Sequence, residues 1–344
     1  MNTVQRILII KWGALGDLIA GTVAIRAVRE QYPQASITLL SNKLMAEVCP
    51  PGSLVDEIIF YDPMMKSVIG QFKLVKELRG RNFDAAINLR WTSERSAAIG
   101  WLSGARVRVG SGPKESRWMY NVKVPLYNGR RHEFLRHLDI AQSMGITAYE
   151  PKPFVFLSAD HQKFTRIFME EHGCSKFSTL VMHPGASISS KAWLSDRYGE
   201  IGKRFVERCN GRVIVTWGPD EESLANEVVE RVGTNAFKSP PTTIGKLASL
   251  IQHCGLLLCN YSGVMNVGMA VETPLIALGC TSPEDWGPYG SLHRTVNTAH
   301  ENDSYSEHER FELMKKISVD EVWNLLDQRW TELYFHAENG AMKR

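Results

Sequence analysis

The sequence predicts an α/β protein with two doubly wound domains. Short β-branched or aliphatic runs alternate with helical patterns along its 344 residues. Such alternation, with runs that are apolar throughout, is typical of parallel sheets covered by helices on both faces. The alternation restarts after Pro151 and Pro153. We therefore predict one domain over residues 1–153, a second over 154–318, and a C-terminal helix with its tail over 319–344.

The predicted elements follow one another in regular order. A buried strand at residues 7–10 precedes a helix over 18–31, in which Leu18, Val23, Ile25 and Val28 can form a buried face. Further strands are predicted at residues 36–40, 85–89, 180–182, 212–216, 256–259 and 275–278. Helices are predicted near residues 160–172, 195–209, 221–232, 243–253 and 319–334. Ligands of open α/β sheets bind at the carboxyl ends of the strands, so the loops there are the first places to search for a site.

Composition excludes several classes of protein. The chain has 40 basic and 37 acidic residues, a net charge of +3, which is too balanced for a general nucleic-acid binder. Its six cysteines form no Cys-x-x-Cys pair, so we expect neither a disulfide framework nor a zinc site. No run approaches the roughly 20 apolar residues of a membrane span, and residues 7–10 are too short a run for a signal peptide. We therefore expect a cytoplasmic protein.

The loop after the first strand carries Gly13, Gly16 and Asp17. It matches neither G-x-G-x-x-G nor G-x-x-x-x-G-K-[ST], so both nucleotide-binding fingerprints fail. Two interpretations of Asp17 compete. It caps the following helix and complements the helix dipole, or it is a general base at the mouth of a cleft.

Two loops of the second half are candidate phosphate sites. Residues 183–193 leave a strand and contain Ser187, Ser189, Ser190 and Lys191, whose hydroxyls and charge could hold phosphate oxygens. The alternative is a solvated loop with a surface lysine. Residues 260–266 follow the strand at 256–259 and open a helix rich in small residues. Its first amides form either an anion site or an ordinary structural turn.

One stretch of the first domain is strongly basic. Residues 104–137 contain eight arginines and lysines, among them Arg106, Arg130 and Arg131, against Glu115 and Glu133. This is a solvated face or a docking surface for an anionic acceptor. The chain has no Asp-x-Asp and its histidines show no ligand spacing, so no metal site is predicted.

These motifs in combination resemble one family. The strand followed by Gly-x-x-Gly-Asp, His-Pro-Gly-Ala-Ser with Lys-x-Trp beyond it, Asn-x-Ser-Gly-x-Met, and Gly-Pro-Tyr-Gly at 287–290 resemble the heptosyltransferases of inverting glycosyltransferase family 9, which build the lipopolysaccharide inner core. Weaker similarity at residues 83–89, 104–110 and 315–318 extends the resemblance over about residues 5–327.

The resemblance implies a GT-B fold, in which two Rossmann-like domains face each other and the C-terminal helix crosses back to the first. Asp17 would deprotonate the acceptor hydroxyl, and Lys191 would stabilise the leaving diphosphate without a metal. It implies a nucleotide-sugar co-substrate, ADP-linked, and no other cofactor. The partners would be this donor and an anionic glycolipid at the inner face of the inner membrane, with no nucleic acid. The implied donor contacts are Gly16, Ser187, Ser189, Ser190, Glu222, Tyr261, Ser262, Gly263 and Asn266, and the implied acceptor contacts are Arg106, Arg130 and Arg131.

The chain departs from the family pattern at two positions. Where the family has Asn-Asp-[Ser/Thr]-Gly-x-x-His, Tyr261 replaces the Asp associated with sugar hydroxyls and Asn266 replaces the His associated with the diphosphate. The expected function is transfer of a heptose or related sugar from an ADP-sugar to a lipopolysaccharide core acceptor. The alternatives are a member that uses a different nucleotide sugar and a catalytically silent nucleotide- or carbohydrate-binding relative. A dinucleotide oxidoreductase is disfavoured because its fingerprint is missing.

Overall fold

Two parallel six-stranded sheets organise the part of the chain that the computed structural model describes, residues 4–61, 67–125, 129–146, 150–299 and 305–335. The chain divides into two units, Met1–Phe156 and Leu157–Arg344. The predicted α/β class with two doubly wound sheets is confirmed.

The first unit has the strand order β3-β2-β1-β4-β5-β6, which is the order of dinucleotide-binding doubly wound sheets. Its strands are β1 (Arg6–Ile10), β2 (Ser36–Ser41), β3 (Glu57–Phe60), β4 (Ala85–Asn88), β5 (Val107–Gly110) and β6 (Val122–Lys123). Its helices are α1 (Leu15–Gln31), α2 (Met45–Val48), α3 (Val68–Gly80), α4 (Glu94–Leu102) and α5 (Glu133–Gln142). Residues 7–10 form the centre of the sheet, since they are fully buried and pair with both β2 and β4.

The second unit repeats this topology in the order β12-β11-β10-β7-β8-β9. Its strands are β7 (Thr179–His183), β8 (Arg212–Val215), β9 (Ala236–Lys238), β10 (Leu256–Asn260), β11 (Leu275–Gly279) and β12 (Arg294–Asn297). Its helices are α6 (Ala159–Glu171), α7 (Ser195–Cys209), α8 (Glu222–Val232), α9 (Ile244–Gln252), α10 (Gly263–Ala270), α11 (Pro283–Trp286), α12 (Glu307–Lys316) and α13 (Val319–Trp330).

The C-terminal helix α13 packs on α7 within the second unit; that it crosses back to the first unit stays a prediction. The Trp330 ring lies 4.7 Å from the Phe205 ring of α7. It fills the space left by Gly255, where a Cβ would lie 2.8 Å from the indole. The Tyr334 hydroxyl donates a hydrogen bond to the Gly255 carbonyl at 2.7 Å. An aromatic packing site prepared by a glycine therefore holds this helix. The tail beyond residue 335 lies outside the described residues.

The sequence patterns found the central strands and missed those with mixed composition. All seven predicted strands overlap observed ones, with boundaries within one or two residues. The missed strands are β3, β5, β6, β9 and β12, which are short and include partly exposed polar side chains. Their side chains do not form an uninterrupted apolar run, so no buried-strand pattern appears. None of the described helices is both long and apolar enough to span a bilayer.

Candidate active site

In the first unit, the strand order reverses between β1 and β4, and the loops that follow these two strands meet at the carboxyl edge of the sheet. This is the position at which doubly wound sheets bind ligands. The loop after β1 runs from Lys11 to Ala14 and leads into Asp17 in the first turn of α1. The loop after β4 supplies Arg90 and Trp91.

The Asp17 carboxylate is half-buried and is held against Gly13. A side chain at position 13 would place its Cβ 2.9 Å from both Cβ and Oδ2 of Asp17. Gly13 is fixed from the other side, because the Asn42 amide donates to its carbonyl at 2.8 Å. The helix begins after Ala14, which has no capping side chain, and no described residue donates a hydrogen bond to Asp17. Within the described part of the chain, Asp17 therefore makes no capping bond, and its carboxylate oxygens accept no hydrogen bond.

Beneath this carboxylate lies a buried polar cluster that sequence reasoning missed. Lys11 is only 2 % exposed, and its stem packs on Gly21 of α1. Its Nζ lies 2.7 Å from His137 Nε2, and His137 Nδ1 lies 2.8 Å from the Glu133 carbonyl oxygen. The Glu133 carboxylate accepts a hydrogen bond from the Trp91 indole at 3.2 Å. The only signal in the sequence was a lysine directly after an apolar strand.

The protonation of the cluster follows from its burial. Burial lowers the pKa of Lys11 to about 8, although the charges of Asp17 and Glu133 act in the opposite direction. Burial, with the nearby Lys11 charge, holds the pKa of His137 well below its usual value, so the ring is neutral. Its Nδ1–H then donates to the backbone and its Nε2 accepts from the lysine. Burial raises the pKa of Glu133.

Arg90 is a second residue of this edge that the motif analysis missed. Its guanidinium carbon lies 5.8 Å from the centre of the Trp12 ring. Its Nε is buried and has no hydrogen-bond partner among the described residues. A half-buried guanidinium with an unused donor is suited to a carboxylate or phosphate. Arg90 is therefore an arginine that the structure brings to the edge where Asp17 lies.

The three predicted acceptor arginines are placed differently. Arg106 precedes β5 and pairs with Asp84, 3.2 Å away, which precedes β4. It lies at the amino edge of the sheet, opposite to Asp17. Arg131 makes two hydrogen bonds to Asp139, at 2.5 and 2.6 Å, and so holds the start of α5. Arg130 is exposed. A docking role for this basic stretch stays a prediction.

In the second unit, Asn260 organises the loop that follows β7. Its side chain is fully buried at the end of β10. The amide nitrogen donates to the carbonyls of Pro184 and Gly185, at 2.8 and 3.1 Å, and the amide oxygen accepts from the Trp193 backbone at 3.0 Å. One side chain thus closes both ends of residues 184–193, because strands β7 and β10 are neighbours.

This loop presents Lys191 beside a second cation. Burial lowers the pKa of Lys191, and the nearby Arg310 guanidinium lowers it further. Arg310, from α12, donates to the Ser190 hydroxyl at 3.3 Å. Two cations this close together favour an anion between them or beside them. Ser187 and Ser189 are exposed in the same loop, whereas Ser190 is buried.

The start of α10 offers hydrogen-bond donors to the same end of the second sheet. Ser262 precedes the helix and its side chain makes no capping bond. Its Oγ is buried without a partner in the described part of the chain. The Asn266 amide, one turn later, donates to the Ser262 carbonyl at 3.4 Å. The first amides of this helix, including that of Gly263, therefore remain available to a phosphate oxygen.

Tyr261 does not offer its hydroxyl at this site. The side chain is buried, and its hydroxyl lies 2.7 Å from Thr295 Oγ1 on β12. The ring packs on Gly279, where a Cβ would lie 2.7 Å from it. The tyrosine therefore fills a space inside the unit and is partnered there, which is why burial raises its pKa.

The predicted donor contact Glu222 does not face residues 184–193. Its neighbour Glu221 does, because the Glu221 carboxylate lies against Gly185. Glu222 pairs with Lys238 at 2.5 Å on the outside of α8. Glu221 accepts from the Gly218 amide at 2.8 Å and lies 3.4 Å from His183 Nε2. Burial opposes ionisation, yet His183 and the Gly218 amide hold the pKa of Glu221 below its usual range. Gly16 lies in the first unit, in the first turn of α1.

Comparison with known proteins decides the family. The family model described as glycosyltransferase family 9 (heptosyltransferase) matches residues 71–317. The chain belongs to glycosyltransferase family 9. It is 26 % identical over 308 residues to the lipopolysaccharide core heptosyltransferase OpsX of Haemophilus influenzae, covering 86 % of this chain and 84 % of that one. The chain is a glycosyltransferase, as the sequence motifs predicted.

Solved structures of the family share the fold. The glycosyltransferase family 9 protein of Veillonella parvula superposes with a TM-score of 0.84 at 22 % identity, over 96 % of this chain and 99 % of that one. The ADP-heptose lipopolysaccharide heptosyltransferase II of Escherichia coli superposes with a TM-score of 0.74 at 21 % identity, over 95 % and 99 % of the two chains.

Proposed function

We propose that this glycosyltransferase moves a heptose from ADP-heptose to an anionic glycolipid acceptor of the lipopolysaccharide core type, with inversion and without a metal. The observation that carries the proposal is the open carboxylate of Asp17 at the switch point of the first sheet. The names of the family relatives support the sugar and the acceptor class. We place its action at the inner face of the inner membrane, where the acceptor would be presented.

The proposed reaction divides between the two units. Asp17 accepts the proton of the acceptor hydroxyl while the hydroxyl oxygen forms a bond to the anomeric carbon. The bond from that carbon to the diphosphate oxygen breaks on the opposite side, so the configuration inverts and ADP leaves. Arg90 orients an anionic group of the acceptor. The negative charge that develops on the diphosphate is stabilised by Lys191, Arg310 and the first amides of α10.

Replacement of the base tests this assignment. Asp17→Asn removes the proton acceptor and keeps the size of the side chain, so transfer from ADP-heptose should fall about 10²–10⁴-fold. ADP binding, measured by thermal shift, should stay at the wild-type value, because the phosphate groups are assigned to the second unit. Transfer in the presence of EDTA should equal transfer without it. A wild-type rate for Asp17→Asn would reject Asp17 as the base, and loss of wild-type activity on chelation would reject the metal-free mechanism.

A different donor sugar is the second candidate, and the Tyr261 geometry favours it. A buried hydroxyl partnered with Thr295 cannot replace a carboxylate that accepts from sugar hydroxyls. Initial rates with a panel of labelled nucleotide sugars, for the wild type and for the double variant Tyr261→Asp/Asn266→His, separate the two. A wild-type preference for another sugar that shifts toward ADP-heptose in the variant supports this candidate. Efficient use of ADP-heptose by the wild type rejects it.

A further inference from the structure

Helix α3 has two apolar faces, and the described residues cover only one of them. Leu74 and Leu78, four residues apart, face the core of the first unit. On the opposite side, Ile69 and Phe72 are 68 % and 69 % exposed, and Val68, at the start of the helix, is 83 % exposed. Large exposed apolar side chains that are close together mark an interaction surface more often than single ones do.

Two lysines lie on the same side of the helix. Residues 69, 72, 73 and 76 follow the spacing i, i+3, i+4 and i+7, so Lys73 and Lys76 share a stripe with Ile69 and Phe72. Both lysines are exposed, and neither has an ion-pair partner among the described residues. We define Val68, Ile69, Phe72, Lys73 and Lys76 as the outer face of α3.

The acidic side chains that the structure describes near this face do not offset its charge. Glu77 is bound within the unit by Arg81, at 2.9 Å, and the same guanidinium also pairs with Glu57. The outer face of α3 is therefore apolar and cationic together. This combination fits an anionic bilayer surface, into which apolar side chains insert while lysines contact the headgroups.

The position of α3 in the fold agrees with this partner. The helix returns antiparallel to the strands after β3, so its first turn lies at the carboxyl edge of the sheet, the edge that holds Asp17. Phe60, the last residue of β3, is 56 % exposed at that edge. Strand β3 is two strands from β1, a separation of about 10 Å at the usual strand spacing. An acceptor anchored in a bilayer at the outer face of α3 would present its sugars near Asp17.

We propose that the outer face of α3 docks the enzyme on an anionic phospholipid bilayer, from which it takes its glycolipid acceptor. The inference rests on the proposed function for the identity of the acceptor, but bilayer binding itself is measured without any acceptor. A second exposed apolar patch of the first unit is the ring pair Trp101–Trp118, with centroids 5.4 Å apart. Neither ring lies in the loop after β1 or the loop after β3. This pair serves as the comparison surface.

The test is sedimentation of the full chain with vesicles of 30 % phosphatidylglycerol and 70 % phosphatidylethanolamine. The wild type should bind, and Phe72→Glu should weaken binding at least about tenfold, since it removes one exposed apolar side chain that would insert into the bilayer and adds a repelled charge. Lys73→Glu/Lys76→Glu should weaken it by about tenfold or more at low salt and less at high salt. Matched controls on the exposed face of α6, Ile167→Glu and Lys163→Glu, should bind as the wild type does.

A transfer assay separates this proposal from the proposed function. With ADP-heptose and a lipid-free core oligosaccharide, the α3 variants should retain the wild-type rate, whereas transfer to vesicle-embedded acceptor should fall with vesicle binding. A wild type that transfers heptose but does not sediment overturns the docking and leaves the function intact. A wild type that binds vesicles but transfers no heptose overturns the proposed function and leaves the docking intact. The docking is also overturned if Trp118→Ala loses vesicle binding while the α3 variants keep it. It is overturned as well if the protein is a dimer in solution and Phe72→Glu dissociates this dimer without changing vesicle binding.

Discussion

Lys11 is expected to lower the stability of the protein in exchange for catalysis, and Lys11→Met separates the two effects. The lysine is fully buried, and its pKa falls from 10.5 to about 8. At about 1.4 kcal/mol per unit, holding this side chain charged at pH 7 costs the folded state about 3 kcal/mol. Loss of its hydrogen bond to His137 gives back about 1 kcal/mol. The methionine variant should therefore be about 2 kcal/mol more stable at pH 7.

The sign of the pH dependence follows from the same shift. Between pH 8 and 10.5 the unfolded chain keeps the lysine proton that the native protein has released, so the wild-type free energy of unfolding rises with pH in this window. The advantage of Lys11→Met should be largest below pH 8 and should shrink toward pH 10. Urea unfolding at several pH values measures it. Lys43→Met, an exposed lysine of the same unit, should change stability by less than about 0.5 kcal/mol at every pH.

Activity should change in the opposite direction. The methionine removes the positive charge beside Asp17, and transfer should fall about tenfold, equal to roughly 1.4 kcal/mol of transition-state stabilisation. A Lys11→Met variant that is less stable at pH 7, by an amount independent of pH, would refute the reasoning. Lys11 would then stabilise the fold through His137.

Three further variants test the site from other directions. Gly13→Ala should move Asp17 and cut transfer at least about tenfold. Gly80→Ala should leave transfer unchanged, because a Cβ there has open space around it. Equal transfer rates for the two variants would show that the contact between Gly13 and Asp17 has no role in transfer. Asn260→Ala should lower the free energy of unfolding by about 2–4 kcal/mol, since three backbone groups lose a buried partner, and calorimetry should show weaker ADP binding. Arg310→Gln should weaken ADP binding about tenfold with an unchanged melting temperature of the free protein, and unchanged affinity would remove this arginine from the phosphate site.

Prediction from sequence succeeded where a local pattern has one physical meaning. Apolar runs in both halves identified the central strands because a strand covered on both faces tolerates few polar residues. The glycine-containing loop after β1 and the Ser-Gly turn after β10 identified the two carboxyl edges, because the order of strand, turn and helix fixes where such loops lie. These are properties of neighbours in the chain.

It failed where a role depends on residues distant in the chain. Lys11 and His137 are 126 positions apart, and no local pattern joins them. Arg106 and Arg131 belong to one basic stretch, but strand direction separates them, and Arg131 is bound by a carboxylate eight residues later. Arg310 follows no motif, and only the return of α12 to residues 189–191 reveals its place beside Lys191.

Tyr261 and Asn266 occupy positions of the family motif but carry different side chains, and the structure shows what each side chain does there. Tyr261 aligns with a carboxylate, yet the absence of side chains at Gly279 and Gly287 opens a space that its ring occupies, with its hydroxyl on Thr295. Asn266 stays at the start of α10 and keeps an amide near Ser262. On the proposed function, the substitution of Asp by Tyr would remove an acceptor from the sugar pocket, whereas that of His by Asn would remove only a potential charge. Lys191, Arg310 and the start of α10 remain for the diphosphate in the proposed reaction. We therefore expect an altered sugar preference with retained ADP affinity. Separate measurements of ADP affinity and of sugar preference distinguish this outcome from a general loss of the donor site, which would weaken both.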